Sequence, residues 1–226
     1  MGVVLTKPTK QVAVMAQSQL QTCSKAKLPK VLTDIYQDKI NIALWQRSFS
    51  DDMAAAITEF VAGNPRFSKS MTVSADSVYQ LLDEATDGSA PESLLADITE
   101  LVDMFCCLFE LNQVGLRIAV IEGVMCPRFH VDKVPCRLVT TYHGVATEWL
   151  PNHAVDRSKL GHGSNGLADA ESGLYGADCQ IEQLSYGDVA LLKGQSWLGN
   201  EDTALVHRSP INTAGGARLL MTLDFA

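Results

Sequence analysis

Two histidines and one aspartate in the second half of the chain have the types and spacing needed to bind a metal ion. His130 and Asp132 lie two residues apart, and residues i and i+2 of a β-strand point to the same side. A further histidine, His207, follows in the C-terminal part of the chain. Two imidazoles and one carboxylate are the protein ligands typical of a mononuclear non-haem iron(II) centre. We therefore expect these three residues to converge on one metal ion, the alternative for His130 and Asp132 being a surface hydrogen bond.

An arginine near the C-terminus could bind an acidic co-substrate beside such a metal ion. Arg218 follows His207 by eleven residues (218 − 207 = 11). If a turn centred on Asn212-Thr213 joins two strands, these residues stand directly opposite, with β-carbons roughly 5 Å apart. A turn centred on Gly215-Gly216 would break that pairing. A planar guanidinium binds a carboxylate at two points, which suits the distal carboxylate of a 2-oxo acid chelated to iron.

The elements that must position these residues change in type near residue 114. Before it, apolar residues recur at helical spacing in three stripes, around Met53–Val61, Val78–Ala85 and Leu94–Phe109. β-type residues between Lys30 and Arg47 could add an edge strand or two. After it, short apolar runs alternate with glycine-containing turns, which predicts strands at Leu116–Ile121, Arg137–Tyr142, Ile181–Leu184, Val189–Leu192, Ala204–His207 and Leu219–Phe225. Helices followed by many strands predict an α+β fold.

The same patterns divide one compact unit into three parts. Residues 1–28 are predicted to be a flexible N-terminal extension, and residues 29–114 a mainly helical part that packs on the strands. Residues 115–226 are predicted to form the β-rich core that carries the site. Within that core, the polar segment Pro151–Gly176 has no periodicity, so it is either a lid or binding loop or a mobile segment.

Composition excludes several classes of partner and site. The formal net charge of −8 and the lack of a long Lys/Arg run argue against nucleic acid or an anionic membrane as a partner. The start of the chain lacks the order of a secretory signal, and charges interrupt the most apolar region, so we expect a cytoplasmic protein. The six cysteines form no C-x-x-C pair, which argues against a structural zinc site.

The C-terminal segment resembles a known enzyme family. The pattern His207-x-Ser209-x-x-Asn212-x-Ala214-x-x-x-Arg218 is similar to the signature of the phytanoyl-CoA-hydroxylase-like branch of the iron(II)/2-oxoglutarate oxygenases. That branch usually carries serine at the position of Ala214. The segments Gly187–Gly194 and Gly144–Pro151 also resemble strands that flank the metal ligands in this branch. The resemblance covers about residues 115–226, half of the chain.

This resemblance implies a double-stranded β-helix of the jelly-roll or cupin type, with the N-terminal helices packed on one sheet. It implies Fe(II) held by His130, Asp132 and His207, with 2-oxoglutarate as co-substrate. Arg218 would bind the distal carboxylate, and Ser209 would make a second contact or serve only in a turn. Trp149 would lie against the co-substrate, or would be an ordinary core aromatic residue.

The implied function is that of a dioxygenase that hydroxylates a small molecule or a protein side chain. A second resemblance, of Arg128–Tyr142 with Thr147-Glu-Trp149, is to an uncharacterised bacterial family whose genes often lie near metal-chaperone GTPases. Two other hypotheses therefore stay open: a cupin-like metal enzyme that does not use 2-oxoglutarate, and a non-catalytic metal-binding protein of metal homeostasis. The sequence does not identify the substrate, the native metal or the oligomeric state.

Overall fold

Ten β-strands in two sheets and three α-helices make up a computed structural model that describes residues 22–123, 125–210 and 215–226. The strands are β1 (Thr22–Ala26), β2 (Ile40–Trp45), β3 (Ser68–Val73), β4 (Val114–Glu122), β5 (Cys136–His143), β6 (Glu148–Trp149), β7 (Glu182–Gln183), β8 (Val189–Lys193), β9 (His207–Arg208) and β10 (Ala217–Phe225). The larger sheet has the order β1-β2-β8-β5-β10-β4-β3, and the smaller sheet has the order β7-β6-β9. Each of the six strands predicted after residue 114 overlaps an observed strand, but β7 and β9 are only two residues long, and β9 shares only His207 with its predicted range.

The three helical stripes are confirmed as α1 (Asp51–Gly63), α2 (Val78–Ala85) and α3 (Glu92–Phe109). The Ser50 hydroxyl caps α1 by accepting a hydrogen bond from the backbone N–H of Met53. Helix α3 ends at Glu110, which adopts a left-handed backbone with φ of 54°. Among the described helices, none combines the length and apolar character needed to cross a membrane.

One face of the larger sheet is covered by the three helices. Because side chains alternate along a strand, every second residue of β4, β5, β8 and β10 enters the same apolar core as the inner faces of the helices. The largest cluster of buried side chains lies there and includes Ile57, Leu82, Ile98, Leu116, Leu138, Leu191 and Met221. The predicted α+β class, with helices packed on one sheet, is confirmed.

The smaller sheet lies over the opposite face of the larger one. Side chains from both sides meet there in a second apolar cluster, which includes Ile42, Val139, Leu192 and Leu220 from the larger sheet and Ala146, Leu184 and Leu205 from segments next to the smaller one. The described residues therefore form a two-sheet sandwich with helices on its outer side. The complete double-stranded β-helix stays a prediction.

The N-terminal part contributes strands as well as helices. Strand β2 lies between β1 and β8, in the interior of the sheet and not at its edge. Ile35 and Tyr36, also expected in a strand, belong instead to a 3-10 helix over Pro29–Tyr36. The predicted division at residues 28 and 114 stays a prediction, although the larger sheet includes strands from all three parts. Most of the predicted N-terminal extension lies outside the described residues.

Candidate metal centre

The structure brings the three predicted metal ligands together. One donor atom from each of His130, Asp132 and His207 lies within 4.8 Å of the others. His207 Nε2 is 3.4 Å from Asp132 Oδ2, and the two imidazole rings have centroids 4.7 Å apart. The histidines occupy neighbouring extended segments, whose backbones exchange two hydrogen bonds of 3.0 Å between residues 130 and 207. Backbone pairing between distant parts of the chain thus fixes the two imidazoles side by side.

Backbone carbonyls determine which ring nitrogens face the other donors. His130 Nδ1 is 2.9 Å from the carbonyl oxygen of Arg128, and His207 Nδ1 is 3.2 Å from that of Leu205. Since a carbonyl can only accept, each Nδ1 acts as the donor, which leaves Nε2 as the ring nitrogen available to a metal ion. Burial, and next the neighbouring His207, lower the pKa of His130, which favours its neutral form. Both conditions are those that a metal-binding histidine requires.

Asp132 carries a negative charge with one oxygen left unsatisfied. Burial alone would raise the pKa of this carboxyl, but His207, Arg137 and His130 together lower it to about 2. Its Oδ1 accepts a hydrogen bond of 2.8 Å from Arg137 Nη1. Its Oδ2 is buried and has no hydrogen-bond partner among the described residues. A buried anionic oxygen without a partner is costly, and a cation between the three donors would satisfy it.

Arg137 and Asp224 hold Asp132 in place. Arg137 Nε and Nη2 donate to the two carboxylate oxygens of Asp224 at 2.8 and 2.7 Å, while Nη1 reaches Asp132. Arg137 therefore lines the cavity and also pairs with two carboxylates. Asp224 was missed, because its proximity to Arg137 depends on the register of β10 against β5, in which Leu223 lies opposite Leu138.

The donors open into a cavity of about 160 Å³ between the two sheets. Four of the described lining residues are arginines: Arg117, Arg137, Arg208 and Arg218. Arg208 is neutralised by Glu148 at 2.6 Å and by Asp169 at 3.6 Å. Arg218 is only 2% exposed, and its Nε and Nη2 have no hydrogen-bond partner among the described residues. Burial lowers the pKa of this guanidinium, which nonetheless stays charged, so the cavity contains a cation that no anion among the described residues pairs with.

The predicted hairpin between His207 and Arg218 is wrong. His207 belongs to β9 in the smaller sheet, whereas Arg218 belongs to β10 and lies opposite Ile121 of β4 in the larger sheet. Strand β10 pairs with β4 on one edge and with β5 on the other, so it has no free edge for β9. The two side chains line the same cavity, but they reach it from different sheets. The proposed turn at Asn212-Thr213 lies outside the described residues.

Gly144 allows β5 to approach the start of β10 closely. Its φ of +83° is left-handed, and a Cβ atom at this position would lie 2.8 Å from the Ala217 carbonyl oxygen and 3.0 Å from Arg218 Cβ. The pairing of β5 with β10 also shifts between Leu219 and Leu220. Such an irregularity changes the direction of the neighbouring side chains. Here it directly follows Arg218 in the sequence.

The other two predicted co-substrate contacts lie in different places. Ser209 is buried and lines the cavity, and its backbone N–H donates to the Cys126 carbonyl oxygen at 3.0 Å. Trp149 is not among the described residues that line the cavity; it lies opposite His207 in the smaller sheet and packs against the apolar cluster between the sheets. A contact between Trp149 and a co-substrate stays a prediction.

Several solved structures are similar to this chain. A prolyl-4-hydroxylase from Pseudomonas putida is 11% identical, with a TM-score of 0.41 over 87% of this chain and 96% of that chain. HygX from Streptomyces hygroscopicus with iron bound is 10% identical, with a TM-score of 0.47 over 87% and 85%. The dioxygenase for auxin oxidation 1 from Arabidopsis thaliana with 2-oxoglutarate is 9% identical, with a TM-score of 0.40 over 95% and 78%.

Sequence comparison identifies a family but no activity. No curated protein matches the chain. A family model described as "Protein of unknown function (DUF1826)" matches residues 26–224, which includes every candidate site residue and nearly the whole length of the chain. The chain therefore belongs to the DUF1826 family.

Proposed function

We propose that this protein is an iron(II)- and 2-oxoglutarate-dependent dioxygenase that hydroxylates an organic substrate. One observation carries the proposal. The buried guanidinium of Arg218, with two nitrogens unpaired among the described residues, lines the same cavity as the imidazoles of His130 and His207. A metal-binding protein without an acidic co-substrate has no evident need for a buried, unpaired cation beside its metal site.

The donor set fits iron(II). His130 and His207 each offer Nε2, and Asp132 offers the oxygen that is otherwise unsatisfied. A site with two histidines and one carboxylate leaves three positions of an octahedron open, and iron(II) oxygenases use sites of this composition. Arg137, itself held by Asp224, would orient the carboxylate, and the carbonyls of Arg128 and Leu205 would orient the imidazoles.

The cavity fits a small dicarboxylic acid. Its volume of about 160 Å³ is comparable to cavities that hold one small organic molecule. Arg218 would bind the distal carboxylate of 2-oxoglutarate through its unpaired nitrogens, and Ser209 would offer a second contact. The apolar lining residues Ile121, Val139 and Leu220 would keep water away and so strengthen this ion pair.

Iron and 2-oxoglutarate, when bound, would supply the activation of dioxygen and the oxidative decarboxylation that hydroxylation of a carbon requires. The chain itself supplies the three donors, the carboxylate-binding guanidinium and an enclosed space between two sheets. The two-sheet sandwich, with the donors at the smaller sheet and Arg218 at the larger, supports a complete double-stranded β-helix as the fold of the catalytic core.

An anaerobic titration tests the proposal. Addition of 2-oxoglutarate to the iron(II)-loaded protein should produce a weak visible charge-transfer band. Arg218→Met should raise the concentration of 2-oxoglutarate needed for half of this band by at least about 30-fold, because one partner of a buried charge pair is lost. Arg218→Lys should have an intermediate effect, since lysine keeps the charge but not the planar fork. Arg66→Met, at an exposed position outside the cavity, is the control.

Admission of oxygen then separates the proposal from its rivals. The iron-loaded protein should consume 2-oxoglutarate slowly even without its substrate. Metal binding without a band and without 2-oxoglutarate consumption would contradict the proposal and would favour a cupin-like enzyme or a non-catalytic metal-binding protein. If Arg218→Met leaves the band unchanged, Arg218 does not bind 2-oxoglutarate, and the proposal loses its main support.

A further inference from the structure

We propose that Asp169 is a positioning residue for the metal centre. We also propose that residues 151–176 support the strands that carry the metal ligands, on the side opposite the cavity. The inference rests on the metal binding in the proposed function and does not depend on the use of 2-oxoglutarate. Asp169 is buried in the middle of the long polar segment, where sequence patterns suggested either a lid or a mobile loop. Its carboxylate contacts both of the chain segments that carry the candidate histidine ligands.

The first contact is with the segment that carries His130. Asp169 Oδ2 accepts a hydrogen bond of 2.8 Å from the backbone N–H of Phe129. Phe129 directly precedes His130 and is only 3% exposed. Because side chains alternate along an extended segment, Phe129 points away from the cavity while the next imidazole points into it. The carboxylate thus fixes the backbone at the residue next to a metal donor.

The second contact is with the segment that carries His207. Arg208 Nη1 lies 3.6 Å from Asp169 Oδ2, and its guanidinium carbon lies 4.2 Å from the centroid of the Phe129 ring. One carboxylate oxygen therefore connects the neighbours of both histidines. Arg208 also lines the cavity, and without the charge of Asp169 it would keep only Glu148 as an acidic partner among the described residues. Asp169 therefore holds this guanidinium at the edge of the cavity.

The rest of the segment packs on the outer side of the smaller sheet. Arg128 donates to the Ser164 hydroxyl at 3.1 Å and to the Gly166 carbonyl oxygen at 3.0 Å. A third apolar cluster joins the segment to the sheet and includes Leu174, Tyr175, Phe129, Leu150 and Val206. None of the described residues that line the cavity comes from residues 151–176. The segment is therefore a support for the ligand-bearing strands and does not form a lid over the site.

This arrangement couples the order of the segment to occupancy of the metal site. A metal ion that fixes His130 and His207 also fixes Phe129 and Arg208, the two residues that Asp169 binds. Coupling of this kind is reciprocal: if metal binding stabilises the segment, then loosening the segment weakens metal binding by the same factor.

Metal titration of the full chain tests the inference. Cobalt(II), which has visible absorption bands, is titrated into the unaltered protein and into Asp169→Asn, Asp169→Ala and Glu171→Gln. Asp169→Asn keeps an oxygen acceptor for the Phe129 N–H but loses the charge opposite Arg208, and should weaken cobalt(II) binding about 10-fold. Asp169→Ala loses both and should weaken it further. Glu171→Gln removes an exposed carboxylate from the same segment and should leave affinity unchanged.

Limited proteolysis of the same proteins measures the coupling itself. Trypsin cleavage after Lys159, inside the segment, should slow on cobalt(II) binding more than cleavage after Arg66, which lies far along the chain. Asp169→Asn should abolish this difference. A merely structural role for Asp169 would instead lower the thermal stability of the metal-free protein without changing cobalt(II) affinity or its absorption bands.

The outcomes separate this inference from the proposed function. If the unaltered protein binds no metal, both are overturned. If it binds metal with equal affinity in the presence and absence of the Asp169 carboxylate, only the positioning role is overturned. If Asp169→Asn fails to fold, the comparison of Lys159 and Arg66 cleavage in the unaltered protein still decides, because equal protection at both sites contradicts the coupling.

Discussion

The two faces of the larger sheet differ sharply, and strand β10 shows the contrast within nine residues. Towards the helices it presents only apolar side chains, which are Leu219, Met221 and Leu223 with the partly buried Ala217 and Phe225 at its ends. Towards the smaller sheet it presents Arg218, Leu220, Thr222 and Asp224. The strand alternation that buries one set therefore places the other set in the cavity. The face against the helices stabilises the fold, while the opposite face holds Arg218, whose Nε and Nη2 have no hydrogen-bond partner among the described residues.

This contrast implies that substitutions on the two faces should separate stability from ligand binding. A residue packed against the helices should affect unfolding and leave the metal centre intact. A residue facing the cavity should affect ligand binding and have a small, or even opposite, effect on unfolding. Pairs of residues on β10 are the best test, because they share the same backbone.

The largest effect is expected for Leu223→Ala, on the face against the helices. Leu223 is completely buried, and its truncation should lower the free energy of unfolding by about 2–5 kcal/mol. Urea denaturation measures this change, and cobalt(II) affinity of the folded variant should not change. Leu198→Ala, at a position 92% exposed, is the matched control and should be nearly neutral. A large loss of metal affinity in Leu223→Ala would show that the two faces are not independent.

A smaller effect with the opposite sign is expected for Arg218→Met, on the cavity face. Replacing a buried guanidinium that has unpaired nitrogens should raise the free energy of unfolding of the ligand-free protein by about 1–3 kcal/mol. Arg137→Met should instead destabilise the protein, because it leaves Asp132 and Asp224 without their cation. Both changes are measured by urea denaturation without metal. Destabilisation by Arg218→Met would indicate that this side chain has a structural partner.

The smallest effect on stability is expected for Asp224→Asn, which acts on the metal centre through Arg137. The Arg137–Asp224 pair is partly exposed, so its loss should change the free energy of unfolding by less than about 1 kcal/mol. Cobalt(II) affinity should nevertheless fall about 10-fold, because Arg137 would no longer be held against Asp132. Glu122→Gln, on the exposed end of β4, is the control. Unchanged affinity in Asp224→Asn would show that Arg137 needs no second carboxylate.

The parts of the fold that sequence patterns predicted are those set by local periodicity. The stripe over Leu94–Phe109 identified α3, and short apolar runs identified the strands after residue 114. The i, i+2 spacing of His130 and Asp132 predicted that both side chains lie on one side of the chain, and in the structure their donor atoms lie close together, with His207 beside them. These features depend on neighbours in sequence, and periodicity reports on such neighbours directly.

The features that sequence patterns missed depend on pairing between distant segments. The pairing of β10 with both β4 and β5 excluded the expected hairpin, and the irregularity at Leu219/Leu220 sets which residue of β5 each residue of β10 faces. Asp224 and Arg137 meet only because of that register. The contacts of residues 151–176 with the strands were not predicted for another reason. The residues that make them, such as Asp169 and Leu174, follow no periodic pattern and contact segments far away in sequence.

The paired backbone hydrogen bonds between residues 130 and 207 have a consequence for the order of assembly. They join segments between which strands β5, β6, β7 and β8 lie in the sequence, so the chain must already have folded back on itself before both imidazoles share one space. An unfolded or half-folded chain therefore has no complete donor set with which to capture a metal ion. Iron would be acquired as a last step and would then oppose unfolding, by about 4 kcal/mol at a free concentration one thousand times the dissociation constant.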